Sequence, residues 1–178
     1  MKTIISICIA LFFTFVCACE RVEENYLSEN VEYAAAQYDL LIEKLEKNGK
    51  PWAPRTVDTK GNIVYARNVW DWTSGFFAGS LWYLYNLTGD EKWKTLAKKY
   101  TEALKQQQYI TSHHDIGFII GCSYLNGMRM GQEAYDTIIV QAAKSLSTRF
   151  RSGAGVIQSW NTRTRMAGTK RLGVSCYY

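Results

Sequence analysis

An internal repeat constrains the fold of this chain more than any other feature of its sequence. Residues 74–104 and 116–146 align without a gap, 42 positions apart. Each copy has an apolar stretch, then a glycine at the turn, then a more polar stretch. A repeat of this length, helical in both halves, is typical of arrays in which one unit cannot bury its own apolar face. The matching positions include Ser74-Gly75-Phe76-Phe77-Ala78-Gly79 with Ile116-Gly117-Phe118-Ile119-Ile120-Gly121, Trp82 with Tyr124, and Gly89 with Gly131.

Each copy predicts one buried inner helix and one amphipathic outer helix. The inner helices are expected at residues 74–87 and 116–128, and the outer helices at 91–107 and 132–150. A glycine inside a helix is about 1 kcal/mol less favourable than alanine. The repeated pairs therefore predict close helix packing at both copies (Gly75 with Gly79, Gly117 with Gly121). Alternating inner and outer helices predict an all-α fold, either a solenoid or a closed toroid.

Two elements are expected before the repeat. A helical stripe over residues 34–45 predicts a helix that begins at Ser28 and ends at Gly49 and Pro51. Turn-forming residues at 58–62, followed by an extended run at 63–65, predict a short hairpin or loop.

The N-terminus has the pattern of an export signal. Lys2 precedes an apolar run over residues 4–16, which is too short for a membrane-spanning helix. Val16-Cys17-Ala18-Cys19 resembles the lipobox of bacterial lipoproteins, in which Cys19 would carry the lipid; an ordinary secretory signal is the alternative. We expect a signal peptide at 1–18, a polar tether at 19–27 and an exported protein, periplasmic or in the outer membrane, that meets the membrane only through its lipid anchor.

Composition excludes several classes of function. The net charge is +5, but acidic and basic residues alternate along the helices, and the chain lacks the basic block that nucleic-acid binding needs. Beyond the signal, only Cys122 and Cys176 remain besides Cys19, which is too few for a disulfide framework. Two adjacent histidines cannot supply a zinc site alone. We expect no metal and no cofactor.

The repeat also selects candidate functional residues, because the starts of the inner helices would meet at one mouth. His114 and Asp115 precede the second inner helix, as Trp72 and Thr73 precede the first. Asp115 is the leading catalytic candidate, although aspartate is also a common helix cap without function. His113 and His114 could hydrogen-bond a polar ligand or tune the carboxylate.

Other candidates are open to two interpretations. Trp72 and Trp160 could stack on a sugar ring, although tryptophan in a helical array more often belongs to the core. Asp71 is interpreted as a loop acid and Asp136 as a solvent-facing helix residue.

Three motifs, in order, resemble glycoside hydrolase family 88, the unsaturated glucuronyl hydrolases. They are Trp72-Thr-Ser-Gly-Phe-Phe-Ala-Gly79, His114-Asp115-Ile-Gly-Phe118 and Gly155-Val-Ile-Gln-Ser-Trp160. The resemblance covers residues 30–161, and the unsaturated rhamnogalacturonyl hydrolases are the nearest alternative. It implies an (α/α)6 toroid, with residues 28–165 as its N-terminal part.

The resemblance also implies a reaction. Such enzymes act on unsaturated uronyl oligosaccharides, the products of polysaccharide lyases, which carry a C4=C5 double bond. A carboxylic acid protonates C4, water adds at C5, and the resulting hemiketal opens to release the sugar. By resemblance Asp115 contacts the uronate ring, His114 and Trp72 line the pocket, and Trp160 forms a stacking wall.

The resemblance ends before the family's second aspartate, its general acid/base. Residues 166–178 fit neither the repeat nor the family. One possible set of codons for residues 166–178, when it is read one base later, encodes a segment that resembles the family: Trp-Leu-Gly-Arg-Lys-Asp-Trp-Glu-Cys-Pro-Val-Ile-Ile. We therefore expect a frameshift near residue 165, a toroid that is incomplete and a chain that is inactive alone; the coding DNA tests this. The alternative function is a helical-repeat module that binds glycans or proteins without catalysis.

Overall fold

The computed structural model describes residues 2–47, 49, 52–66, 71–161, 163–167 and 170–174, with side chains over 25–47, 49, 52–66 and 71–161. The described part is mostly helical and has few strands. The chain divides into two compact units, Met1–Lys50 and Pro51–Tyr178.

The first unit is one helix, α1, over Lys2–Lys47. It runs through residues 19–27, where we expected a polar tether, so the predicted helix start at Ser28 is wrong. Neither proline nor glycine, the two residue types that disfavour a helix interior most, occurs between residues 2 and 47. Gly49, with φ 59°, donates its N–H to the Glu46 carbonyl and ends the helix as predicted.

The export signal is not tested by this helix. The side chain of Cys19 lies outside the described residues, so its lipidation stays a prediction. Among the helices that the structure describes, none combines the length and the apolar character needed to cross a membrane.

The second unit opens with the predicted hairpin. Strands β1 (Pro54–Val57) and β2 (Ile63–Tyr65) pair antiparallel. The Asp58 carboxylate accepts hydrogen bonds from the N–H groups of Lys60 and Asn62, both at 2.8 Å. Gly61 takes φ 80° beside them. This local turn chemistry explains why the sequence alone located the hairpin.

The repeat forms two helix pairs with nearly the predicted boundaries. The first pair is α2 (Ser74–Thr88) and α3 (Glu91–Glu102), followed by a 3-10 turn over Lys105–Tyr109. The second inner helix is α4 (Ile116–Ile120), a π-helical segment over Gly121–Leu125, and α5 (Asn126–Arg129). A 3-10 turn at Glu133–Tyr135 leads into the second outer helix, α6 (Asp136–Ser147).

Among the described residues, the predicted close packing of the glycine pairs occurs at Gly75 and Gly79. A Cβ on Gly75 would lie 2.3 Å from the Ile119 carbonyl oxygen, and one on Gly79 would lie 2.6 Å from that of Cys122. Gly117 and Gly121 have no described atom within 4 Å of such a Cβ. The prediction is therefore confirmed where the two inner helices cross, and it is wrong for the second pair within the described part of the chain.

The core lies between the helix pairs. Trp82 and its repeat equivalent Tyr124 are both fully buried. The Trp82 indole N–H donates to Thr101 Oγ1 of α3 at 3.0 Å. Tyr124 meets Tyr135 edge to face, with ring centroids 4.7 Å apart. The repeated aromatic positions thus anchor each inner helix to its outer partner.

Two short hairpins follow α6. Strands β3 (Phe150–Arg151) and β4 (Val156–Ile157) form the first, and β5 (Arg163–Ala167) and β6 (Lys170–Val174) form the second. The predicted frameshifted tail at 166–178 lies partly in the second hairpin and partly outside the described residues, so its origin stays a prediction.

Candidate active site

A cleft of about 810 Å³ opens where three chain segments of the second unit meet. These segments are the turn before α2, the turn into α4 and the chain that follows β4. The cleft is lined by Trp72, His114, Asp115, Gly117, Phe118 and Trp160. The structure therefore brings together all four predicted site residues of this region, and their catalytic or binding roles remain predictions.

Asp115 occupies the N-cap position of α4, but its side chain does not cap the helix. Its Oδ2 accepts a hydrogen bond from the Trp160 indole N–H at 3.2 Å, and its Oδ1 lies 3.2 Å from His114 Nε2. Only 7% of the residue is exposed. The carboxylate is therefore held by cleft residues rather than used for capping. This favours a role for Asp115 in the cleft over a role as a helix cap.

His113 lies behind the carboxylate. Its Nδ1 is 3.6 Å from Asp115 Oδ2, and the residue is 4% exposed. Burial lowers the pKa of His113, and the positive charges nearby act in the same direction against the opposing effect of Asp115. His113 is therefore neutral at neutral pH.

Backbone pairing aligns the two walls of the cleft. His113 and Trp160 form an antiparallel bridge, and the His114 N–H donates to the Ser159 carbonyl at 2.8 Å. The His114 and Trp160 rings consequently meet edge to face, with centroids 4.8 Å apart. These contacts join positions 45 or more residues apart, and sequence spacing does not reveal them.

The rest of the cleft is aromatic. Trp72 is 45% exposed and Trp160 is 39% exposed, so neither belongs to the core, which was the alternative to sugar stacking. The Trp72 ring lies 5.9 Å from that of Phe118, which also lines the cleft. Phe118 was in the motif but was not selected as a site residue. The repeat could have pointed to it, because it aligns Phe118 with Phe76. In the structure both rings are exposed and their centroids lie 6.2 Å apart.

The other acids keep the interpretation made from the sequence. Asp71 Oδ1 accepts from the Thr73 N–H and hydroxyl, and Oδ2 pairs with Arg55 at 3.4 Å, so Asp71 organises the loop before α2. Asp136 begins α6 and is exposed. Among the described residues, no group of three or more histidines, cysteines and acids is placed to hold a metal ion.

Helix pairs that carry an aromatic cleft around one hydrogen-bonded carboxylate fit a carbohydrate-processing protein, because sugar rings stack on aromatic faces while a carboxylate contacts their polar groups. Comparison with known families makes the class specific. The model of Glycosyl hydrolase family 76 matches residues 26–171, most of the chain, and the chain belongs to this family of glycosidases. That model is not the one for family 88, which the motifs resemble.

Individual relatives carry the name that the motifs implied. An unsaturated glucuronyl hydrolase of Formosa agariphila is 29% identical over 90% of this chain and 42% of its own length. An unsaturated chondroitin disaccharide hydrolase of Streptococcus agalactiae is 31% identical over 59% of this chain and 27% of its own.

Solved structures agree with these relatives. The crystal structure of an unsaturated glucuronyl hydrolase specific for heparin superposes with a TM-score of 0.60 and 39% identity, over 64% of this chain and 30% of its own. The predicted helical toroid of inner and outer helix pairs is thereby confirmed. The chain spans less than half the length of the curated relatives that it matches.

Proposed function

We propose that this chain is part of a glycoside hydrolase that acts on unsaturated glucuronyl oligosaccharides released by polysaccharide lyases, with the family 88 type of reaction. The observation that carries the proposal is the Asp115 carboxylate, withdrawn from helix capping and held between Trp160 and His114 in an aromatic cleft. The relatives, named as unsaturated glucuronyl and unsaturated chondroitin disaccharide hydrolases, support the same substrate class.

The reaction proposed is hydration of an enol ether. A proton adds to C4 of the unsaturated uronate, water adds at C5, and the hemiketal formed there opens to release the adjoining sugar. The protein lowers the barrier by placing an acid and the substrate in contact. No attack at the anomeric carbon is required, and no metal or cofactor is part of the proposal.

Each cleft residue has a proposed role in this chemistry. Asp115 contacts the uronate ring, and its two oxygens are oriented for this by Trp160 and His114. The exposed faces of Trp72 and Trp160 hold the sugar rings by stacking. His114 is near enough to the carboxylate to hydrogen-bond either Asp115 or a sugar hydroxyl.

Asp115 is the one carboxylate among the described residues that line the cleft. The family mechanism needs a second aspartate as general acid/base, which the described cleft residues do not include. The hydration test therefore needs a frame-restored protein, in which the frameshift expected near residue 165 is reversed. Binding and hydration therefore have to be tested on different forms of the protein.

The binding test uses the 178-residue chain. An unsaturated chondroitin disaccharide should quench the fluorescence of the cleft tryptophans, and a saturated disaccharide of the same sugars should quench it less. Quenching is expected to disappear in Trp160→Leu and to persist in Trp93→Phe, which changes a core tryptophan. Equal response to saturated and unsaturated sugars would contradict the substrate class.

The hydration test uses the frame-restored protein. We expect it to remove the ultraviolet absorbance of the C4=C5 bond from lyase-treated glycosaminoglycan. No loss of absorbance across several such substrates would refute the enzymatic proposal.

The second candidate is a glycan-binding module without catalysis. The single carboxylate among the described cleft residues favours binding without catalysis, because the reaction needs two aspartates. Binding without hydration in the frame-restored protein would support this candidate and exclude the enzyme.

A further inference from the structure

A buried arginine outside the cleft connects the two segments that form its walls. Arg149, just after α6, is 3% exposed. Its Nε donates to the Gln158 carbonyl at 2.6 Å, and its Nη1 donates to the Thr111 carbonyl at 2.6 Å and to Asn161 Oδ1 at 3.2 Å. The guanidinium therefore bonds the chain two residues before His113 and the chain on both sides of Trp160.

These bonds are placed to control the Asp115 carboxylate. The two side chains on either side of that carboxylate, His114 and Trp160, come from the two segments that Arg149 joins. The segments also contact each other through the His114 N–H and the Ser159 carbonyl. A shift of residues 158–161 relative to 111–114 would move the Trp160 indole away from Asp115. Their hydrogen bond would then weaken steeply, because its strength depends on alignment.

We propose that Arg149 is a positioning residue for the candidate site: it fixes the register of the two walls and thereby keeps Trp160 hydrogen-bonded to Asp115. The consequence for sugar binding rests on the proposed function, whereas the consequence for Trp160 does not. Arginine suits this role because its planar fork donates in several fixed directions, which the ammonium of lysine cannot do.

The chain offers a matched control two residues away. Arg151 donates from Nε and Nη2 to Gln158 Oε1 at 2.9 and 2.7 Å. It is exposed and bonds a side chain of the same segment rather than its backbone. Arg149→Lys and Arg151→Lys therefore make the same chemical change, and only the first removes guanidinium bonds that join the two walls.

The test reads the tryptophan indole N–H signals of the ¹⁵N-labelled chain by NMR, without sugar. In Arg149→Lys we expect the Trp160 signal to shift and its hydrogen exchange to speed up about tenfold, as expected for a lost bond to a charged acceptor. The Trp82 signal, from an indole bonded to Thr101 in the core, should not change. Arg151→Lys should leave both signals in place.

A second arm of the test measures how tightly each variant binds the unsaturated chondroitin disaccharide. Its dissociation constant should rise about tenfold in Arg149→Lys, because the hydrogen-bonded carboxylate is displaced, and stay unchanged in Arg151→Lys. If the parent chain binds no disaccharide while the Trp160 signal responds, the proposed function fails and the positioning role stands.

Two results would overturn the positioning role. One is an unchanged Trp160 signal in Arg149→Lys; the other is loss of the Trp82 signal as well, which would make Arg149 a residue of general stability. Should Arg149→Lys not fold, Asn161→Ala removes one acceptor of the guanidinium and is expected to shift the Trp160 signal by a smaller amount. No shift in that variant would also refute the role.

Discussion

Asp115 shows how one residue type serves two purposes that the sequence cannot separate. Aspartate at a helix start usually bonds the free N–H groups of the first turn. Here the side chain bonds Trp160 and lies beside His114 and His113 instead. The decisive partner is 45 residues away, so only the folded chain distinguishes a cap from a cleft acid.

The first prediction concerns the charge of this residue. In the frame-restored protein, Asp115→Asn should lower the hydration rate at least about 10²-fold, since the substituted amide keeps the shape but not the carboxylate that contacts the uronate ring. The thermal midpoint should change little. Absorbance of the substrate double bond measures the rate, and Asp136→Asn, an exposed change of the same kind, is the control. Equal rates for the two variants would exclude Asp115 from the reaction.

The second prediction concerns pH. Because burial lowers the pKa of His113 in the folded state, the unfolded chain binds the extra proton first as pH falls below about 6.5. The stability that neutral His113 contributes is therefore fully present above that pH and is lost as pH falls through it. The free energy of unfolding, from urea titrations at pH 5 to 8, should show this decline. His113→Gln should flatten it, and an unaltered slope in that variant would assign the effect to other groups.

At the scale of elements, the repeat predicted the helix pairs because both copies keep the same apolar and turn positions. The glycines behaved differently in the two copies because their neighbours differ. Gly75 and Gly79 face the backbone of the second inner helix, whereas a Cβ on Gly117 or Gly121 would meet no described atom within 4 Å outside its own turn of helix. Among the described residues, the repeated glycines therefore pack against a neighbouring helix in the first copy and not in the second.

The third prediction follows from this difference. Gly79→Ala should destabilise the fold by about 1–3 kcal/mol, since its Cβ would lie 2.6 Å from the Cys122 carbonyl oxygen of a packed helix. Gly121→Ala, at the equivalent position, should be neutral or stabilise by up to about 1 kcal/mol. Urea unfolding of both variants measures the contrast, and similar effects for the two would refute the packing argument.

Some element boundaries were beyond sequence reasoning. The π-helical segment at Gly121–Leu125 interrupts a helix whose apolar pattern is continuous, and Ser123 bonds the Ile119 carbonyl within it. The tether expected before Ser28 is helical, because polar residues without glycine or proline can extend a helix as readily as end it.

At the scale of the whole molecule, the family match and the similar toroids place the chain among glycosidases. We further propose that it is exported and anchored at Cys19 by lipid. The apolar run before this residue, with small residues beside the cysteine, is the feature that supports the proposal.

The fourth prediction tests the anchor. In a bacterial host that processes lipoproteins, Cys19→Ala should move the protein from the membrane fraction to the soluble fraction and abolish incorporation of labelled palmitate, because the thiol that carries the lipid is gone. Cys122→Ala, a change inside the helix pairs, should alter neither. Labelling that persists in Cys19→Ala would disprove lipidation at this residue.

The sequence by itself determined the helix pairs, the hairpin turn at Asp58–Asn62 and four of the residues that line the cleft, Trp72, His114, Asp115 and Trp160. Those features depend on residues that are close in the chain, on short motifs or on the internal repeat. Only the tertiary structure decided that the Asp115 carboxylate bonds Trp160, that Phe118 joins the aromatic wall and that Arg149 ties both walls together. Each of these depends on segments far apart in sequence, whose contact is set by how the helices pack.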